Sequence, residues 1–306
     1  MKEIINKLKK LNVKKIFVQF PEGLKLKIQE IAKEIEKEGF EVVLCLEKTY
    51  GACDLREEEA KRLNCDVILH IGHSNFGVKS KLPLIYWDYF LDVNPLPILE
   101  KEFEKINNYR NVGLVASLQF VKSLKKVKDF LEKKGKKVFV SKSLKYEGQI
   151  LGCNLSAAKN IEDKVDCFLC ISAGKFYPLG LALETSKKVF NLDLEKNQIY
   201  SMNELKYKLQ KLIEWNKAQF ENAKKIGILV SWKKGQINEN IFEIKKRLEK
   251  RGKEVFVLAM DEITPEKLEG LKVDFLINCA CPRIGRDDLN KFKIPLVNFS
   301  EVNRNI

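Results

Sequence analysis

Apolar and polar positions along this chain alternate between two periods. Short β-branched runs, KKIFVQF, RNVGLVA and KKIGILV, are each followed by a stretch with helical spacing. A second short apolar run then follows in each case: FEVVLCL, KKVFVSK and KEVFVLA. The intervening stretches carry apolar residues at i, i+4, i+7 and i+11. These are Leu24, Ile28, Ile31 and Ile35, then Phe120, Leu124, Val127 and Leu131, then Ile237, Ile241, Ile244 and Leu248. Such spacing predicts a helix with one buried face. Each helix is expected to stop at a glycine, Gly39, Gly135 or Gly252, because glycine takes the left-handed C′ position without steric cost. A third strand is expected behind an aspartate in every copy: DVILHIGH from Asp66, DCFLCISAG from Asp166 and DFLINCACP from Asp274. A fourth apolar run, LPLIYWD, KKVFNLD or IPLVNFS, closes each copy. Strands joined through helices by short connections form right-handed crossovers and parallel sheets.

The chain therefore reads as an α/β protein of three repeated small domains. Each is expected to be a four-stranded parallel sheet with flanking helices. The expected bounds are 1–92, 109–194 and 224–306, with residues 201–223 forming a connecting helix. Units of that size are small to stand alone, so the three are expected to pack around a shared centre.

Composition narrows the class. With 306 residues, 45% hydrophobic and 32% charged, the chain is a folded protein rather than a disordered one. It has no run of 18 apolar residues, so no membrane span is expected. The N-terminus is amphipathic and lacks the apolar core of a signal peptide, which predicts an intracellular, cytoplasmic protein. The formal charge of +14 invites a nucleic-acid or acidic partner. Lys/Glu-rich solvated helix faces such as FEIKKRLEKRG account for it more simply, and basic residues interleaved with aromatics are missing. Nucleic acid is therefore not expected as a partner.

The cysteines are the informative residues. There are eight, with only two histidines, His70 and His73. In an intracellular protein such thiols point to metal or redox chemistry before disulfides. Ligands of open parallel sheets bind beyond the carboxyl ends of the strands. Cys53, in GACD, and Cys153, in GCN, both follow a second strand, and Cys281 follows a third strand in ACPRI. Three thiolates, one per domain, with a glycine upstream of two of them, suit a [4Fe-4S] cluster better than a structural zinc site. Three cysteines leave one iron open to a substrate. The alternative is that all three are inert thiols. Cys45, Cys65, Cys167 and Cys170 read as structural. Cys167 and Cys170 lie inside an apolar strand and face opposite sides. Cys279 is expected to share a strand face with Cys281 and is the alternative ligand. His73 either faces a ligand or is satisfied by backbone. Gly235-Gln236 reads as a loop for close ligand approach, and Asp287-Asp288 as a helix cap.

Taken together and in order, YGACD with GHS, GQILGCN and ACPRI followed by DD resemble the diphthamide biosynthesis enzymes, in particular the archaeal iron–sulfur 2-(3-amino-3-carboxypropyl)histidine synthases. The resemblance spans nearly the whole chain. It implies three related α/β domains, a homodimer, and a [4Fe-4S] cluster on Cys53, Cys153 and Cys281. It implies that the cluster, once reduced, cleaves the S–Cγ bond of S-adenosylmethionine. The 3-amino-3-carboxypropyl group then adds to C2 of a histidine imidazole in translation elongation factor 2, and 5′-methylthioadenosine is released. An electron donor is implied as a further partner. Conventional radical enzymes of this cosubstrate carry CxxxCxxC, which this chain lacks. The cosubstrate carboxylate needs a cation or N–H donors, for which Arg283 is the candidate. Further candidate contacts are His73, Ser74, Gln149, Asn154 and Gln236. One departure stands out: Cys279 occupies a position where the family carries a hydroxyl residue. The competing reading is a quinolinate synthase-like dehydratase, which also resembles three α/β domains around a three-cysteine cluster used as a Lewis acid.

Overall fold

The computed structural model describes residues 1–75, 77–238 and 240–303. Phe76 of the HIGHSNF run and the last three residues of the third repeat lie outside the described residues. Two compact units are present: Met1–Asp92 with Lys233–Gly235, and Val93–Trp232 with Gln236–Ile306.

In the first unit the amphipathic N-terminus is a helix, α1 (Lys2–Lys10). It is followed by β1 (Lys15–Gln19), α2 (Lys25–Glu36), β2 (Glu41–Leu44), α3 (Glu57–Arg62), β3 (Val67–Ile71) and β4 (Leu84–Trp87). The sheet order is β2-β1-β3-β4 and every pair is parallel, with Ile16 opposite both Val42 and Val67. The stripe on α2 drives the assembly. Leu24, Ile28, Ile31 and Ile35 bury with Ile4 and Leu8 of α1 against Ile16, Val18, Val67 and Leu69. The other sheet face holds Phe17 and Ile68 with Cys45, Leu55, Ala60 and Cys65. Gly39 takes φ +92°, the left-handed stop expected of it.

The second unit opens with α4 (Leu96–Glu102), β5 (Asn111–Ala116), α5 (Leu124–Lys133), β6 (Lys137–Phe139), α6 (Ser156–Lys159), β7 (Cys167–Ser172), α7 (Phe176–Glu184), β8 (Lys188–Asp193) and β9 (Gln198–Ser201). This sheet has five strands, β6-β5-β7-β8-β9, and the last is antiparallel. The expected uniform four-stranded parallel sheet is therefore corrected here. The cause is local. The Asp193 carboxylate accepts the N–H groups of Glu195 and Lys196, and Asn197 adopts φ +51°. So tight a turn returns the chain beside β8, and only antiparallel pairing is open to it.

The same unit continues through α8 (Asn203–Phe220), β10 (Lys225–Ser231), α9 (Ile241–Lys250), β11 (Glu254–Met260), β12 (Phe275–Asn278), β13 (Leu296–Asn298) and α10 (Phe299–Val302). Its second sheet is fully parallel in the order β11-β10-β12-β13. Buried Asn216 ties α8 to it, donating to the Leu296 carbonyl at 2.9 Å. The third apolar stripe is shorter than its spacing predicted. Ile237 lies outside α9 and is 58% exposed. The Asn238 side chain accepts the Asn240 N–H at 3.0 Å, a side-chain-to-backbone bond that competes with helix formation, and α9 starts only at Ile241.

The recurring aspartates have a shared structural task. Asp66 Oδ2 accepts the N–H groups of Lys14 and Lys15 at 2.8 and 2.7 Å. Asp166 accepts those of Arg110 and Asn111, and Asp274 those of Lys224 and Lys225. Each carboxylate thus clamps the start of its sheet's first strand. These backbone bonds hold all three carboxyls below the usual aspartate range. A lowered folded pKa stabilises the fold at pH values above the unfolded value of about 4, and the gain is lost as pH falls through the folded value. Because the clamps are exposed, solvent screens them. Asp166→Ala is expected to cost about 1 kcal/mol at pH 7 and progressively less as pH falls below the unfolded aspartate value, measured by urea denaturation across that range.

Candidate metal centre

In the first unit, Cys53 sits in a turn between β2 and α3, in which the Asp54 N–H reaches the Gly51 carbonyl at 3.0 Å. Gln19, at the carboxyl end of β1 and fully buried, holds this turn from below. Its amide donates to the Asp54 carbonyl at 3.0 Å and accepts the Arg56 N–H at 2.9 Å. The Asp54 carboxylate is buried and receives the Lys233 ammonium at 2.6 Å. Gly235 donates its N–H to the Cys53 carbonyl at 2.9 Å. The close approach expected at Gly235 is to the Cys53 backbone.

His70, at the end of β3, and His73 face one another, Nε2 to Nδ1 at 3.0 Å. Burial, with the His73 charge second, holds His70 down at about 3. Burial alone holds His73 at about 4. Both rings are neutral at pH 7, so one donates its N–H to the other. His73 thus meets neither expectation in simple form, since its partner is another imidazole rather than backbone. His70 Nδ1 and the Tyr86 hydroxyl are buried without a hydrogen-bond partner among the described residues. The two rings lie 5.2 Å apart. Burial and the neighbouring Cys53 push the Tyr86 hydroxyl up to about 12. Ser74 is buried beside this group in sequence.

In the second unit, Gly152 and Cys153 form the tip of a tight turn closed by the Leu151 N–H to the Asn154 carbonyl at 2.9 Å. Cys153 is exposed there. A Cβ on Gly152 would lie 2.0 Å from the Phe176 ring, so any larger residue there must displace that ring. The Arg283 guanidinium lies 4.5 Å from the centre of that same ring. The structure therefore brings Arg283 to the Cys153 turn. Arg283 also pairs with Asp287 at 3.0 Å, so Asp287 acts as an ion-pair partner, while Asp288 stands at the start of the short turn Leu289–Lys291 without a side-chain cap bond. Asn154 accepts the Ser156 N–H at 3.1 Å and starts α6. Gln149 is buried and accepts the Tyr146 N–H at 3.2 Å. Gln236 is half-buried.

The Cys281 turn is built by two asparagines that sequence reasoning did not single out. β12 ends at Asn278. Its side chain accepts the Ala280 N–H at 3.1 Å and donates to the Cys281 carbonyl at 2.8 Å and to Asn298 Oδ1 at 2.7 Å. Asn298 in turn donates to the Pro282 carbonyl at 3.1 Å. Two Asn residues at the ends of neighbouring strands are a visible signal, but nothing short of the fold pairs them.

Residues 20–304 match the sequence pattern of the diphthamide synthesis protein family. The chain belongs to that family. It is 33% identical to a 2-(3-amino-3-carboxypropyl)histidine synthase of Pyrococcus horikoshii, over 98% of this chain and 88% of the relative. It is 32% identical to the synthase of Methanocaldococcus jannaschii, over 97% and 85% of the two chains. The crystal structure of Dph2 from Pyrococcus horikoshii with a 4Fe-4S cluster superposes with a TM-score of 0.90 at 32% identity, covering 99% of this chain and 89% of that one.

In this diphthamide synthesis family member the eight thiols fall into two sets. Cys45, Cys65, Cys167, Cys170 and Cys279 are buried, whereas Cys53 and Cys281 are half-buried and Cys153 is exposed. Burial pushes the thiols of Cys167, Cys170 and Cys279 up to about 12, which leaves them inert. Among the described residues no three Cys, His, Asp or Glu side chains are gathered closely enough to hold one metal ion. A cubane makes a different demand, because each cysteine binds a different iron and the sulfurs stand apart. Taken one by one, Cys53, Cys153 and Cys281 each stand in a turn that follows a strand, and thiols are the donor type such a cluster takes.

Proposed function

We propose that this chain is a 2-(3-amino-3-carboxypropyl)histidine synthase, the enzyme of the first step of diphthamide biosynthesis. The observation that carries the reading is near-full-length similarity to synthases from two archaea. Three domains, 1–92, 109–194 and 224–306, each contribute one cysteine, Cys53, Cys153 and Cys281, with residues 201–223 as the connecting helix. A [4Fe-4S] cluster bound there supplies the electron that breaks the S–Cγ bond of S-adenosylmethionine, whose 3-amino-3-carboxypropyl group goes to a histidine C2 of translation elongation factor 2. The protein's share is to bind, orient and exclude water. Arg283, held over Phe176 at the Cys153 turn, is a cation for the cosubstrate carboxylate. Gln149, Gln236, His73 and Ser74 are polar groups for the rest of the cosubstrate. Asn154, whose carbonyl closes the Cys153 turn, is a further candidate polar contact. A homodimer, an electron donor and a cytoplasmic location complete the reading. Among the described residues no helix is long and apolar enough to cross a membrane. The quinolinate synthase-like alternative is not favoured, because the matched family is that of diphthamide synthesis.

The test is anaerobic purification, iron and sulfide assay, then addition of S-adenosylmethionine, dithionite and archaeal elongation factor 2. The expected products are 5′-methylthioadenosine and a factor heavier by one 3-amino-3-carboxypropyl group on a single histidine. Formation of 5′-deoxyadenosine in its place, or of no cluster after reconstitution, overturns the proposal.

A further inference from the structure

The segment Lys233–Gly235 follows β10 in the chain yet belongs to the first unit. It meets that unit at the Cys53 turn. Lys233 is 6% exposed, a burial lysine rarely reaches unless paired. Its ammonium is 2.6 Å from Asp54 Oδ2 and 5.7 Å from the centre of the Tyr50 ring, so it grips residues on both sides of Cys53. Two residues on, Gly235 donates to the Cys53 carbonyl. A Cβ at 235 would stand 2.6 Å from both Cα and Cβ of Cys53 and 3.1 Å from Val78. The obstructing atoms belong to the cysteine's own backbone and first carbon, which cannot swing aside as a flexible side chain can.

We propose that Lys233 and Gly235 are positioning residues for Cys53, a strap that fixes the direction in which this cysteine presents its sulfur. The inference rests on the reading of Cys53 as a cluster ligand. Asp54 shares its charge between Lys233 and Arg56, whose Nε lies 3.5 Å from Oδ1; loss of the Lys233 ammonium under-compensates a carboxylate in a dry site, which shifts Asp54 and turns its neighbour Cys53. A side chain at 235 does so directly. A ligand displaced by about 1 Å is enough to lose pre-organisation.

The experiment compares Gly235→Ala, Lys233→Met and Cys53→Ala with the unaltered full-length chain. In metal-free protein the alkylation rates of Cys53 and Cys153 are measured together by peptide mass spectrometry, with Cys167 and Cys279 as markers of unfolding. Iron and sulfide are then counted after anaerobic reconstitution. Gly235→Ala and Lys233→Met are expected to change the Cys53 rate at least threefold, with Cys153, Cys167 and Cys279 unchanged, and to lower cluster content at least twofold. Unchanged Cys53 reactivity with full cluster content in both variants overturns the inference. So does uniform exposure of all four thiols in both variants, which signals general loosening. Full cluster retention in Cys53→Ala removes Cys53 as a ligand and defeats the underlying reading; the alkylation rates still report whether the strap orients the residue.

Discussion

Cys281→Ala is expected to abolish cluster binding and 5′-methylthioadenosine formation, whereas Cys279→Ala leaves both within about twofold, because a core change of about 1 kcal/mol leaves a fold stable by about 5–15 kcal/mol almost fully populated. The two thiols are separated in sequence by one alanine, yet their surroundings differ in kind. Cys279 is 7% exposed, packs with Ile228, Ile277 and Val297, and its N–H bonds to the Leu229 carbonyl at 2.9 Å. Its sulfur stays protonated at neutral pH. Beyond it the Asn278 side chain bends the backbone, so that Cys281 leaves the core. The same contrast extends to the other domains: Cys53→Ala and Cys153→Ala are expected to behave as Cys281→Ala, and Cys167→Ala as Cys279→Ala. Iron, sulfide and product assays on the four variants and Cys279→Ala decide it. Loss of the cluster in Cys279→Ala with retention in Cys281→Ala would reverse the assignment.

How far the sequence reaches can be read from that pair. The three-fold grammar of strand, helix, glycine stop and aspartate-led strand was legible because each signal is local and repeated. The aspartates even have a common backbone role in all three sheets. What failed depended on a side chain reaching across the fold. Cys279 and Cys281 were expected on one strand face, but the strand ends at Asn278, and period-two alternation carries no meaning past that point. β9 was missed because the Asp193 turn, not the hydrophobic pattern, decides its direction. Ile237 matched a helical spacing that Asn238 interrupts. Lys233 and its neighbour Lys234 were invisible because only their tertiary partners, Asp54 and Glu57, 179 and 177 residues away, distinguish them from solvated lysines. In the candidate site, then, the cysteine turns were legible from glycine and strand position, while the groups bracing them were not.

Glu57→Gln is the second large effect, expected to cost about 2–3 kcal/mol at pH 7. Glu57 opens α3 and is 3% exposed, a placement an isolated carboxylate does not tolerate. Burial pushes its pKa up. Bonds from Lys234, from Lys61 at 2.7 Å and from the Lys81 N–H at 3.1 Å outweigh burial and hold it at about 2. Ser80 adds a hydroxyl at 3.2 Å. One carboxylate thus ties together the start of α3, the loop before β4 and the Lys233–Gly235 strap. Its folded pKa lies below the unfolded glutamate value of about 4.3, so its contribution is complete above that value and drains away as pH falls toward 2. Glutamine keeps the shape but loses the charge, and it leaves Lys234 and Lys61 facing a neutral amide. The deficit relative to the unaltered protein should therefore be largest at pH 6–7, shrink below pH 4 and vanish near pH 2. Urea denaturation of both proteins across that range measures it. A deficit that instead grew in acid would mean that Glu57 is protonated in the folded state and that the three-way tie does not exist.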